Sequence, residues 1–146
     1  IVASGELHEV VSRLDLPMLS GSNAGSVIDA EPQRSDSVYD LTELGFSGGV
    51  LCVPGRYEER AKSVRLRIAA QDVSICLKRP DATTILNVLA AEIDDVQSVG
   101  PSSALVRLAV GTDYLLALIT RRSAARLQLK KGDSVYVQVK SVTVKH

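Results

Sequence analysis

From residue 26 onward, apolar and polar residues alternate in short runs, and this alternation limits the possible folds more than any other feature. The runs are rich in Val, Ile and Leu, and turn residues such as Pro32, Gly48 and Gly55 separate them. A period of two residues is typical of strands with one buried face. The alternation predicts strands at residues 27–30, 38–41, 49–53, 64–68, 73–77, 85–96, 104–110, 114–119, 135–139 and 142–144.

Two segments have helical spacing instead. Residues 5–16 place their apolar residues on one helical face, with Ser4 as a candidate N-cap and Pro17 as the stop. Residues 121–129 fit one or two helical turns. Many short strands with one short helix between them are typical of oligonucleotide/oligosaccharide-binding-like (OB-like) barrels. We therefore predict a mainly β, OB-like barrel with one short helix, preceded by an N-terminal amphipathic helix.

Length and charge exclude several classes of protein. The 146 residues suffice for about one domain, and 17 basic residues balance 17 acidic ones, which disfavours a polyanion binder. Aromatic residues make up only 3% of the chain, so stacking platforms for nucleic acid are scarce. No apolar stretch is long enough to span a membrane, and no signal peptide is present, so we expect a cytoplasmic protein without membrane insertion. The start at Ile1 suggests a fragment of a longer chain.

Motifs for catalysis or metal binding are absent from the sequence. It contains no G-x-x-x-x-G-K-[ST] phosphate loop and no H-E-x-x-H motif, and its two histidines, His8 and His146, lie near opposite ends. We expect Cys52 and Cys76 to be core thiols, because neither has nearby histidine partners. The glycine-rich residues 45–49 lie between predicted strands, which favours a hairpin. We expect no catalytic residues, cofactor or metal site in this chain.

Hydroxyl and basic residues recur where predicted strands end, which points to binding of an oxyanion. A tetrahedral oxyanion needs hydroxyl and N–H donors from several sides and a positive charge to balance it. An equally simple explanation makes Thr120 a helix cap and Thr84 a strand cap. The candidate oxyanion ligands are Thr84, Asn87, Thr120, Ser123, Lys140 and Ser141.

Two pairs of segments carry a resemblance to a known family. The runs VRLRIAAQDVSICL (64–77) and TTILNVL (83–89) resemble the C-terminal regulatory region of the ATP-binding subunit of molybdate ABC importers. The runs LITRRSAARLQL (118–129) and GDSVYVQVKSV (132–142) resemble the molybdopterin-binding-protein-like (Mop) fold. The opening VASGELHEV (2–10) is similar to the end of an importer ATPase domain, which would explain the missing phosphate loop.

The resemblance implies a domain division and a function. Residues 1–24 would be the tail of an upstream ATPase domain and a linker, residues 25–82 a strand-rich first half, and residues 83–146 the Mop-like, oxyanion-binding half. Molybdate or tungstate would bind where two subunits of a homodimer meet and would limit import. The parent chain would be a molybdate-transporting ATPase that contacts a membrane permease through its ATPase domain.

One departure from the family pattern leaves alternatives open. Many relatives carry Arg where this chain has Leu86, so a charge that would help to neutralise the dianion is absent. A charge-assisted hydrogen bond contributes about 1.5 to 3 kcal/mol, or tenfold or more in affinity. The chain could instead be a structural dimerisation module without a ligand, or a regulatory domain of another solute importer.

Overall fold

The computed structural model describes residues 24–55, 57 and 63–145, and nearly all of the regular structure in these ranges is β. One short helix, α1 (Arg121–Arg126), follows the eighth strand, and a 3₁₀ turn (Ala70–Asp72) follows the fourth. The strands are β1 (Gly25–Asp36), β2 (Leu41–Phe46), β3 (Gly49–Pro54), β4 (Val64–Ala69), β5 (Val73–Cys76), β6 (Asn87–Val99), β7 (Ser103–Val110), β8 (Asp113–Thr120), β9 (Ser134–Val139) and β10 (Thr143–Lys145).

The described strands form two antiparallel five-stranded sheets with the same internal order. The first sheet runs β10-β4-β1-β2-β3 and the second runs β5-β9-β6-β7-β8. The long strands β1 and β6 occupy equivalent positions, and each carries a bulge, at Gln33 and at Asp94, where it pairs with the following strand. The described residues therefore contain two structural repeats of five strands each. This repetition was not predicted from the sequence.

Each repeat contributes its last strand to the sheet of the other. Strand β5 pairs with β9, where Val73 lies opposite Val139, and β10 pairs with β4, where Val144 lies opposite Leu66. Residues 25–82 and 83–145 thus exchange strands. The main core spans both sheets and includes Ile28 and Leu66 from one repeat and Leu108 and Val137 from the other. Burial of this shared apolar surface stabilises the two repeats as one unit.

Two hairpin turns meet where the repeats come together. The Ser47 hydroxyl in the β2–β3 turn accepts a hydrogen bond from the Thr112 N–H (3.0 Å) and donates to the Asp113 carboxylate (2.8 Å). Gly111 in the β7–β8 turn has a φ of +65°, and a Cβ there would lie 2.5 Å from the Ser47 carbonyl carbon. The two turns therefore pack backbone against backbone.

The structure confirms the mainly β, OB-like prediction, but strand β2 was not predicted, and Pro32 lies inside β1 rather than between strands. Residues 38–41 were predicted as a strand, but residues 37–40 form a turn in which Val38 and Tyr39 are exposed. The Asp36 carboxylate accepts from the N–H groups of Val38 (2.9 Å) and Tyr39 (3.3 Å), and Asp40 has a φ of +56°. This local capping competes with extended backbone.

The other predicted segments have mixed outcomes. The hairpin at residues 45–49 and the short helix after Thr120 are confirmed. The predicted helix at residues 5–16 lies outside the described residues. Ala24, which the sequence analysis assigned to the linker, is buried and accepts a hydrogen bond from the Ala70 N–H at 2.8 Å.

Candidate oxyanion-binding site

Lys140 and Ser141 lie on the surface directly after β9, at the edge where β6 begins. The last residue pair between these strands is Asn87 opposite Val139. Leu86 and Lys140, the next residue on each chain segment, are therefore neighbours just beyond the end of the sheet. The side chains of Lys140 and Ser141 are exposed, and the Lys140 N–H donates to the Asp72 carbonyl at 2.8 Å. This strand-end group combines a cation and a hydroxyl that an anion in solvent can reach.

Asp72 adds a negative charge to the strand-end group. The Ser141 hydroxyl and the Asp72 carboxylate lie 3.4 Å apart, which engages the hydroxyl weakly. A carboxylate at this position repels a dianion. Asp72 was not predicted as a site residue, because Asp72 lies 68 residues from Lys140 in the chain. The two residues are neighbours only because β5, which directly follows Asp72, pairs with β9.

Thr84 lies in an exposed turn that leads into β6. The hydroxyl of its neighbour Thr83 accepts from the Ile85 N–H (3.2 Å) and from the Gln138 side-chain amide (3.1 Å). Gln138 belongs to β9, so this bond holds the turn against the strand that Lys140 directly follows. Thr84, Lys140 and Ser141 therefore lie at the same end of the second sheet.

Thr120 and Ser123 form a separate pair at the start of α1. The Thr120 hydroxyl accepts from the Ser123 N–H and donates to the Ser123 hydroxyl, both at 3.0 Å. Thr120 is therefore the helix cap that the simpler explanation predicted. Both side chains are exposed, and the Ser123 hydroxyl keeps its proton for another acceptor.

The helix-start pair and the strand-end group do not converge within one chain. Thr120 lies opposite Ser103 at the far end of β7 and β8, whereas Lys140 follows the strand that pairs with the beginning of β6. Among the hydrogen bonds of the described residues, none joins the two groups. Within the described part of the chain, the predicted site residues thus fall into two clusters.

Asn87 belongs to neither cluster. It is 7% exposed, its side-chain carbonyl accepts from the Cys52 N–H (2.7 Å), and its amide donates to the Cys52 carbonyl (3.1 Å). These two bonds connect β6 to the edge strand β3. The side chain that was predicted to hold an oxyanion therefore joins the two sheets.

The Asn87→Ala variant is expected to lose about 2 kcal/mol of stability, because two bonds to the half-buried backbone of Cys52 are removed and these backbone groups lose their partner. Urea unfolding followed by circular dichroism measures the change. Ser98→Ala, at an exposed hydroxyl of the same strand, is the control and should change stability by less than about 0.5 kcal/mol. Equal stability of Asn87→Ala and wild type would contradict the role assigned to this amide.

Burial, and to a smaller extent the Glu43 carboxylate, raise the pKa of the Cys52 thiol above its ordinary value. At neutral pH the group is therefore a thiol rather than a nucleophilic thiolate. Both Cys52 and Cys76 are free and half-buried, and the Cys76 thiol donates to the Gln138 side-chain carbonyl at 3.3 Å.

The described residues contain no group of His, Cys, Asp and Glu suited to hold a metal ion. The Asp94 carboxylate pairs with the Arg107 guanidinium at 2.9 Å. No helix in the described part of the chain is long and apolar enough to cross a membrane. A groove of about 480 Å³ lies over the first sheet beside Asp29 and Arg65, away from both clusters of predicted site residues.

Comparison with protein-family models gives a match to the TOBE domain over residues 83–145. Residues 83–145 are therefore similar to a TOBE domain. The match begins at the turn that carries Thr84 and ends in β10. The matched segment contains both clusters of predicted ligands, whereas Asp72 comes from the preceding repeat.

Similar proteins extend the likeness beyond the TOBE domain to almost the whole chain. The molybdenum import ATP-binding protein ModC of Methylococcus capsulatus is 40% identical over 145 residues, which are 99% of this chain and 41% of that protein. The ModC protein of Aromatoleum aromaticum is 43% identical over 143 residues, 98% of this chain and 38% of that protein. The chain thus spans about two fifths of the length of these relatives. The resemblance to molybdate importer ATP-binding subunits is confirmed.

A solved structure supports the fold of the TOBE-like segment and of the repeat before it. The cytoplasmic molybdate-binding protein ModG, crystallised with molybdate bound, superposes with a TM-score of 0.67. The superposition covers 81% of this chain and 93% of ModG at 18% sequence identity. At that identity the likeness establishes a shared architecture of curled β-sheets.

Proposed function

We propose that this chain is a regulatory domain that binds molybdate or tungstate and dimerises, within the ATP-binding subunit of an importer for these anions. The full-length subunit is then a cytoplasmic ATPase that contacts a membrane permease through its ATPase domain. This chain itself contributes no catalytic residue and binds no nucleic acid. The bound oxyanion reports the cytoplasmic supply and limits further import.

The exposure of Lys140 and Ser141 beside the Thr84 turn carries this proposal. A cation, two hydroxyl groups and the backbone N–H groups of an exposed turn are the donors that a tetrahedral dianion requires. Their position in a segment similar to a TOBE domain, in a chain whose relatives are named for molybdenum import, supports molybdate as the anion.

A second copy of the chain is needed to complete the site. Thr120 and Ser123 present hydroxyls at one end of the second sheet, and Lys140 and Ser141 lie at the other. In a homodimer with two-fold symmetry, the helix-start pair of one subunit can face the strand-end group of its partner. Leu86, which is 65% exposed beside Lys140, would then be covered by the partner.

A site shared between subunits gives the oxyanion control over their arrangement. The anion stabilises only the arrangement in which both halves of the site converge. This difference in affinity shifts the population of dimers towards that arrangement. In a transporter subunit, such a shift would hold the ATPase pair in a resting state.

Asp72 and Leu86 favour a second candidate, a structural dimerisation module without a ligand. Leu86 removes a cation that many relatives have, and the Asp72 carboxylate adds a repulsive charge near Ser141. Both changes weaken anion binding while leaving an exposed surface for a partner. Binding measurements distinguish this candidate from the oxyanion sensor.

The Lys140→Ala variant is expected to bind molybdate at least tenfold more weakly than wild type, because a charge-assisted hydrogen bond contributes about 1.5 to 3 kcal/mol. The Asp72→Asn variant is expected to bind more tightly, because a like charge is removed while a polar partner for Ser141 remains. Isothermal titration calorimetry measures both affinities.

Lys131→Ala serves as the matched control, because Lys131 is an exposed lysine in the turn after α1 and contacts neither cluster of predicted ligands. Its affinity should equal that of wild type. If Lys140→Ala and Lys131→Ala bind molybdate equally well, the assignment of Lys140 to the site is wrong.

A further inference from the structure

Gln138 connects two other segments to strand β9 through its side chain. Its amide donates to the Thr83 hydroxyl at 3.1 Å, and its carbonyl accepts from the Cys76 thiol at 3.3 Å. Thr83 belongs to the turn before β6, and Cys76 belongs to the exchanged strand β5. One half-buried side chain thus joins three segments of the second sheet.

Gln138 lies on the outward face of β9, two residues before Lys140. Buried residues alternate along this strand at Val135, Val137 and Val139, so residues 136 and 138 face outward. Lys140 follows the last residue of the strand, and its side chain is exposed. Gln138 and Lys140 therefore both lie at the end of β9 that is bonded to Thr83.

Thr83 links Gln138 to the residues that follow Thr83 in the turn. Its hydroxyl accepts at the same time from Gln138 and from the Ile85 N–H, which closes a turn around Thr84. The amide of Gln138 thus supplies a hydrogen bond between this turn and β9. An exposed turn with one local hydrogen bond samples many conformations.

We infer that Gln138 is a positioning residue for the oxyanion site. It fixes the turn of residues 83–86 against β9, so that Thr84 and the neighbouring backbone N–H groups face the same anion as Lys140. This inference rests on the proposed function, because it assigns a role within that site. A donor set that is already in place binds more tightly than one that must be ordered during binding.

The test compares molybdate affinities of the 146-residue chain and its variants by isothermal titration calorimetry. Gln138→Leu and Thr83→Val each remove the bond between the turn and β9. Each should raise the Kd for molybdate about tenfold, which is the usual effect of mutating a residue that orients the ligating groups. Thr83→Val also removes the acceptor of the Ile85 N–H. Because the bond between the turn and β9 is lost in both single variants, the double variant should bind no more weakly than Thr83→Val. Thr83→Ser keeps the hydroxyl and should recover most of the affinity lost in Thr83→Val.

Ser74→Ala is the matched control, since Ser74 lies opposite Gln138 in the neighbouring strand and is exposed. It should retain the wild-type Kd. Hydrogen exchange at the Ile85 N–H supplies a readout that needs no ligand, and Gln138→Leu should accelerate it.

The outcomes separate this inference from the proposed function. If wild type does not bind molybdate, the proposed function fails, and the inference fails with it. If wild type binds and Gln138→Leu binds equally well, only the inference is overturned. Losses in Gln138→Leu and Thr83→Val that add in the double variant would also overturn it.

Discussion

Replacing Gly111 by alanine is expected to cost about 3 kcal/mol of stability, because the change combines backbone strain with a steric clash. Gly111 has a φ of +65°, a conformation that side chains disfavour. The added Cβ would also lie 2.5 Å from the carbonyl carbon of Ser47 and 2.6 Å from the nitrogen of Gly48. Both contacts are with backbone, so the two hairpin turns would have to separate.

Gly100→Ala is the control for the strain component alone. Gly100 has a φ of +71°, but nothing lies within 4 Å of a Cβ at that position. It should therefore cost only about 1 to 2 kcal/mol. Urea unfolding of the two variants and wild type measures the difference. Equal losses in the two variants would show that the contact between the hairpin turns does not stabilise the fold.

The Asp94→Ala variant is expected to lose about 3 kcal/mol of stability, because it removes a carboxylate that is paired with the buried Arg107 guanidinium. The ion pair is 2.9 Å long, and the Arg107 side chain is 7% exposed. The Arg107 guanidinium also lies 4.3 Å from the centre of the Tyr114 ring, which holds it in place. The Asp94 side chain is 22% exposed, so the loss should be at the lower end for a buried pair.

Asp29→Ala provides the matched control, since Asp29 pairs with Arg65 on the surface, where the side chains are 62% and 63% exposed. Its removal should cost less than about 1 kcal/mol. The double variant Asp94→Ala with Arg107→Met should be more stable than Asp94→Ala, because no buried charge remains. Thermal unfolding of all three variants measures these losses. A loss in Asp94→Ala no larger than in Asp29→Ala would contradict the structural role of the buried pair.

Hydrophobic alternation was sufficient to predict most of the strands, because it reports which residues face the core. It does not report which strand lies next to which. The exchange of β5 and β10 between the repeats was therefore not predicted, although both segments were expected to be strands. Residues 38–41 were predicted wrongly, because the capping of the turn by the Asp36 carboxylate is stronger than the β-propensity of Val38 and Tyr39.

A site residue could be predicted from the sequence only where its residue type allows few structural roles. A lysine at a strand end is exposed in most folds, and Lys140 is exposed here. An asparagine serves equally well as a ligand or as a partner for backbone, and Asn87 bonds Cys52, which is 35 residues away in the chain. Gln138 and Asp72 were missed, because their contacts depend on the pairing of β5 with β9.

Binding of molybdate or tungstate by a dimer of this chain can be measured in one experiment. It combines isothermal titration of the wild-type chain with molybdate, tungstate and sulfate and mass determination in solution. We expect a dimer that binds molybdate or tungstate with micromolar or tighter affinity and does not bind the smaller sulfate ion. A dimer that releases no heat with any of the three oxyanions would contradict this expectation and would leave a structural module.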